Sequence, residues 1–92
     1  MAFNLFISYD LIPPGQNYEA VQDRIKELGL WYKFQYSLFY VNTESDAHQA
    51  FTHVSQALDI GDRLAVIDAK AGVVSTGDKP PIDAINSIWF GS

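Results

Sequence analysis

From Phe3 to Asp10 apolar and polar positions alternate with a period of two: Phe3, Leu5, Ile7 and Tyr9 fall on one side, Asn4, Phe6, Ser8 and Asp10 on the other. That period predicts a pleated strand with one wholly apolar face and one mixed face, and the mixed face meets water, a ligand or another chain. Two prolines and a glycine in Leu11 to Gln16 predict a loop. Tyr18, Val21, Ile25 and Leu28 then recur at helical spacing, with Asn17 as N-cap and Glu19 suited to the positive end of the helix dipole. This helix is expected to run to about Gly29, a glycine suited to a helix C-terminus. The aromatic and β-favouring run from Leu30 to Asn42 reads as two strands, near Trp31–Gln35 and Ser37–Asn42, reversing around Gln35 and Tyr36. A single long strand stays open, since no glycine or Asn-Gly pair marks the reversal.

Capping oxygens from Thr43 to Asp46 precede a second helical stripe of Ala47, Ala50, Phe51, Val54 and Leu58, expected to end before Gly61. Asp62 to Ala69 reads as a strand, and Lys70-Ala71-Gly72 as a turn into the short strand Val73-Val74-Ser75. After Gly77 to Pro81, Ile82, Ile85, Ile88 and Trp89 share one side of a short helix that needs a surface to dock on. The order strand, helix, strand, strand, helix, strand predicts an α+β ferredoxin-like βαββαβ sandwich, its antiparallel sheet in spatial order 4-1-3-2 and both helices on one face. We expect one domain over 1–92, with its core in 2–76 and a C-terminal docking segment in 80–92. Strands three and four flank strand one in this plan, so Asp10 should sit near Tyr36 and Ser37 on one side and Asp62 and Arg63 on the other.

Composition narrows the function classes. At 92 residues, with 48% hydrophobic and 14% aromatic content, the chain has material for a core. A domain of this size buries only roughly 60–65% of its unfolded surface, so association would help it. The absence of cysteine excludes disulfides, thiolate metal sites and a cysteine nucleophile. No apolar run reaches the roughly 18 residues of a membrane span and no leader pattern opens the chain, so a cytoplasmic, non-membrane protein is expected. A formal charge of −5 opposes nucleic-acid binding unless a local patch or a bridging metal supplies the attraction.

Among individual residues, His48 and His53 lie five apart, about 140° around a helix, so they do not chelate one ion as an i, i+4 pair would. Both read as surface residues. Ser37 has no histidine nearby in sequence to activate it. Pro13-Pro14-Gly15 lacks the Gly-Lys-Ser/Thr ending of a phosphate cradle. The aromatic cluster from Trp31 to Tyr40 suits core or dimer contacts, since the aromatic-glycine motif of RNA-binding ferredoxin-like domains is missing.

Ser8-Tyr9-Asp10 closing the first strand, Gln35-Tyr36-Ser37-Leu38-Phe39 opening the third, and Asp62-Arg63-Leu64 opening the fourth resemble the small CRISPR-associated spacer-acquisition subunits, over about Phe3 to Ile67. The plan is also similar to the virulence-associated protein D ribonuclease toxins. Pro14, Gly15, Asn17 and Tyr18, with Gly29 and Trp31, bring the chain closest to stand-alone relatives of that superfamily with no assigned function. The resemblance implies a homodimer and metal-dependent hydrolysis of RNA or DNA. It further implies that Asp10 is the catalytic position and the Mg²⁺ ligand, given once by each protomer at the dimer axis. Ser37 and Phe39 match the family's serine and phenylalanine of the third strand and are the implied substrate-binding positions. Where the family carries a basic residue after the aspartate, this chain has Leu11-Ile12-Pro13-Pro14. The competing expectation is a non-catalytic homodimeric interaction or regulatory module, in which Asp10 merely ends a strand.

Overall fold

The computed structural model describes residues 3–12 and 17–69. Its elements are β1 (Phe3–Asp10), α1 (Tyr18–Lys26), β2 (Gly29–Gln35), β3 (Leu38–Thr43), α2 (Ala47–Ser55) and β4 (Arg63–Asp68). They form an α+β unit: a four-stranded sheet in the order β2-β3-β1-β4, every pairing antiparallel, with two helices. Strand β1 is central because it pairs on both sides, with Leu5 opposite Val41 and Asp68, and Ile7 opposite Phe39 and Val66.

The period-two pattern of β1 decides where the core lies. Leu5, Ile7 and Tyr9 are buried together with Phe39 and Val41 of β3, Val21 and Ile25 of α1, and Ala50 and Val54 of α2. Both helices therefore cover the same sheet face. The first helix begins as its sequence predicts, with the Asn17 side chain accepting from the Ala20 amide at 3.2 Å. The second has a capping box: Asp46 accepts from the Gln49 amide at 2.8 Å while the Gln49 side chain accepts from the Asp46 amide at 2.9 Å.

Several expected boundaries move, each for a local reason. The first helix stops at Lys26 with Glu27 as C-cap, and Gly29 opens β2 rather than closing the helix. There a Cβ would collide with the Asn42 carbonyl oxygen, so the glycine permits close approach of two backbones. The long-strand alternative is overturned: Tyr36 and Ser37 form a turn, leaving Ser37 outside β3. Phe51, assigned to the buried stripe of α2, is 44% exposed. Asp62 precedes β4 instead of belonging to it, and the turn at Gly61 uses a φ of 91°, open to glycine at little steric cost. The expected hairpin at Lys70 to Gly72, the strand Val73 to Ser75 and the segment from Ile82 to Trp89 lie outside the described residues. Among the described residues no helix is long and apolar enough to cross a membrane.

Candidate functional site

The sheet face opposite the helices carries the even-numbered residues of β1. At its middle Phe6 lies 5.6 Å from the rings of both Phe34 and Tyr40, and Tyr32 meets Phe34 edge-on at 5.0 Å. Towards the start of β1, Tyr40 donates to Asn4 Oδ1 at 2.6 Å and Asn42 donates to the same oxygen at 3.0 Å. Burial raises the Tyr40 phenol above its ordinary value, and the hydrogen bond with Asn42 opposes that in part. Leu30 and Ile67 lie on the same face, 68% and 59% exposed. The aromatic run read as one cluster is thus divided: Tyr32, Phe34 and Tyr40 serve the open face, whereas Phe39 enters the core and Trp31 packs near it at 5.8 Å.

At the other end of this face the side chains become small and polar. Ser8 and Asp10 of β1 are exposed, and their register partners on β4 are Ala65 and Arg63. Ser8, Asp10, Arg63 and Ala65 border a shallow depression of about 240 Å³. Asp10 thus stands beside a guanidinium-bearing residue where β1 ends, as the antiparallel plan requires. The β2–β3 turn closes the other side. The Tyr9 amide donates to the Ser37 carbonyl at 3.2 Å, and the Tyr9 hydroxyl donates to the Tyr36 carbonyl at 2.8 Å. Gln22 of α1 donates to that hydroxyl at 2.9 Å. Burial raises the Tyr9 phenol above its ordinary value, and the Gln22 hydrogen bond opposes the shift.

The structure brings Asp10 and Ser37 to one end of the sheet and separates both from Phe39, whose buried side chain lies on the helix-covered face. Asp62, expected near Asp10 at the start of the fourth strand, accepts from two backbone amides. Its two carboxylate oxygens accept from the Ile12 and Asp59 amides, each at 2.8 Å, tying the end of β1 to the turn before β4. Sequence spacing held no signal for that bond across 50 residues. The larger depression, about 430 Å³, lies along α2 and is bordered by His48, Thr52, His53 and Gln56. It is a surface trough: His53 Nε2 lies 2.8 Å from Glu27 Oε1 and links α2 to the end of α1, while His48 is exposed.

A divalent ion needs more oxygens than the described residues bring together here. Among the described residues no three His, Cys, Asp or Glu side chains converge, and Mg²⁺ takes about six ligands. The described residues of one chain do not by themselves supply that set. No family model and no curated protein matches this chain.

Proposed function

We propose that the chain is a ferredoxin-like homodimer of the CRISPR-associated and toxin nuclease superfamily, a cytoplasmic enzyme that cleaves phosphodiester bonds of RNA or DNA, with Asp10 at its active centre. The observation that carries this reading is the position of Asp10, an exposed carboxylate at the end of the central strand, on the open face and in register with Arg63. The order β2-β3-β1-β4, which is 4-1-3-2 counted from the β4 edge, supports the fold assignment. In the proposed dimer the open faces meet with the two-fold axis near Asp10, and a Mg²⁺ site is completed only between chains, one carboxylate from each and the rest water. A divalent ion held there by the two Asp10 carboxylates would supply charge neutralisation for a phosphate. The chain's own groups orient the substrate: the Arg63 cation faces a phosphate oxygen, and the Ser8 hydroxyl offers a hydrogen bond in the same depression. Ser37 lies at the same sheet end, and Phe39 supports the strand from beneath.

Replacing Asp10 with Asn keeps the size of the side chain and removes its charge. Cleavage of RNA or DNA dependent on Mg²⁺ or Mn²⁺ is expected to disappear while the far-ultraviolet circular dichroism is unchanged. A wild-type protein that cleaves nothing across a broad substrate panel and binds no ion by calorimetry overturns the reading. The non-catalytic interaction module is favoured by a different observation, the exposure of Leu30 and Ile67 on the sheet face opposite the helices.

A further inference from the structure

Tyr36, at the turn between β2 and β3, is 57% exposed and yet firmly held. Its ring meets that of Tyr18 at 4.9 Å with the planes 82° apart, and the Lys33 ammonium lies 4.8 Å from its centroid. Its carbonyl accepts from the Tyr9 hydroxyl at 2.8 Å and from the Gln22 side chain at 3.5 Å. We propose that Tyr36 stacks on a nucleobase and Lys33 contacts the adjoining phosphate, so that the strand brought to Asp10 is unpaired where it crosses the end of the sheet. This deepens the nuclease reading and rests on it for the role of Asp10, while the binding step is measurable without cleavage.

Three observations carry it. First, the position is right. Ser8 lies opposite Leu38 and the Tyr9 amide donates to the Ser37 carbonyl, so continued register sets the Asp10 backbone beside that of Tyr36, one strand spacing of about 4.8 Å away. Asp10 borders the depression with Ser8, Arg63 and Ala65, whereas the Tyr36 ring turns towards Tyr18 of α1. A nucleotide seated on Tyr36 therefore sends its chain over the rim of the sheet towards that depression.

Second, the ring is spare. The structural work at position 36 is done by the carbonyl, which any residue supplies, and the ring fills no part of the buried core. Contacts with Tyr18 and Lys33 fix its orientation and leave more than half of the residue facing water.

Third, stacking suits the charge of this chain. With a net charge of −5 and six Lys and Arg in all, few cations can be set against phosphates. A π-face binds a base without charge and accepts any of the four. Lys33 already sits at the ring, so a base stacked there finds its phosphate beside an ammonium that the ring holds in place. Inside a duplex the base faces are covered by their neighbours, which leaves Tyr36 only unpaired bases to meet.

Binding is read apart from cleavage in the full-length Asp10→Asn protein, by fluorescence anisotropy of a labelled unpaired oligonucleotide of about twelve nucleotides and of a hairpin duplex. Tyr36→Ala is expected to weaken binding of the unpaired strand by on the order of tenfold, and Tyr36→Phe to leave it within about twofold. Lys33→Gln should lower the slope of binding against salt by about one. The hairpin should bind more weakly than the unpaired strand and be indifferent to Tyr36→Ala. Circular dichroism of Tyr36→Ala should match that of its parent; if it does not, Tyr36→Leu takes its place, since leucine keeps bulk without a stacking face. Unpaired-strand binding that the folded variant leaves unchanged overturns the inference, even where the wild type cleaves. An equal loss of hairpin binding also overturns it, as does failure to bind either oligonucleotide at the highest soluble concentration. Tyr36-dependent binding by a wild-type protein that cleaves nothing keeps the stacking site and removes the nuclease reading.

Discussion

Tyr9 and Tyr40 lie on opposite faces of one sheet, and each spends its hydroxyl on a long-range hydrogen bond, to the Tyr36 carbonyl and the Asn4 side chain. Burial raises both phenols, so the folded state holds their protons more tightly than the unfolded chain does. Their stabilisation is complete below the unfolded value of about 10 and is lost as pH rises through the higher folded values. The melting temperature should therefore fall from pH about 9 to about 11, and Tyr9→Phe or Tyr40→Phe should flatten that fall, as thermal melts across this range will read. At neutral pH, Tyr9→Phe should cost about 1 kcal/mol, because the Tyr36 carbonyl loses its donor. Gly29 acts through what it lacks. With Gly29→Ala the new methyl meets the Asn42 carbonyl oxygen, and urea unfolding should show a loss of about 1–3 kcal/mol as β2 and β3 move apart.

Among the elements, β1 organises the rest because it pairs with β3 on one side and β4 on the other and sends Leu5, Ile7 and Tyr9 into the core. Its inward residues fill the space beneath both helices, so Leu5→Ala should cost about 2–5 kcal/mol in denaturant unfolding through the cavity it leaves. Helix α2 depends on its start. Asp46→Ala removes the acceptor for the Gln49 amide and should cost about 1 kcal/mol, whereas the same change at Asp10, which caps no helix, should leave the melt nearly unchanged. That contrast separates a structural carboxylate from a functional one. The two helices are also tied at their far ends by His53 and Glu27, although that partly exposed bond adds little.

For the molecule as a whole, the decisive quantity is what covers the open sheet face. The proposed homodimer predicts twice the monomer mass by light scattering at micromolar concentration; a monomer at every concentration removes the dimer and with it the two-carboxylate centre. Deleting residues after Pro81 should lower the melting temperature if Ile82 to Trp89 docks, and leave it unchanged if the segment is idle. The acidic charge of −5 makes any nucleic-acid contact local, so cleavage should depend on Asp10 and Arg63 rather than on a broad basic surface.

The element order and the two-faced character of β1 were legible along the chain because both depend on periodicity, and periodicity is a local property of consecutive residues. The same holds for the N-caps at Asn17 and Asp46, where the oxygen and the amide it serves are three residues apart. Asp10 could be placed beside Arg63 without coordinates, since antiparallel pairing leaves one arrangement once the strand order is assumed. Contacts between residues far apart in sequence were not legible. Gly29 looked like a helix end and proved to be a point of backbone contact with Asn42; Asp62 looked like the first residue of a strand and proved to precede it and hold the Ile12 amide. The division of the aromatic run, with Phe39 buried under the helices and Tyr40 buried in a second cluster on the opposite sheet face, follows from the register of β3 against β1, so folding alone settles which rings pack on which side of the sheet.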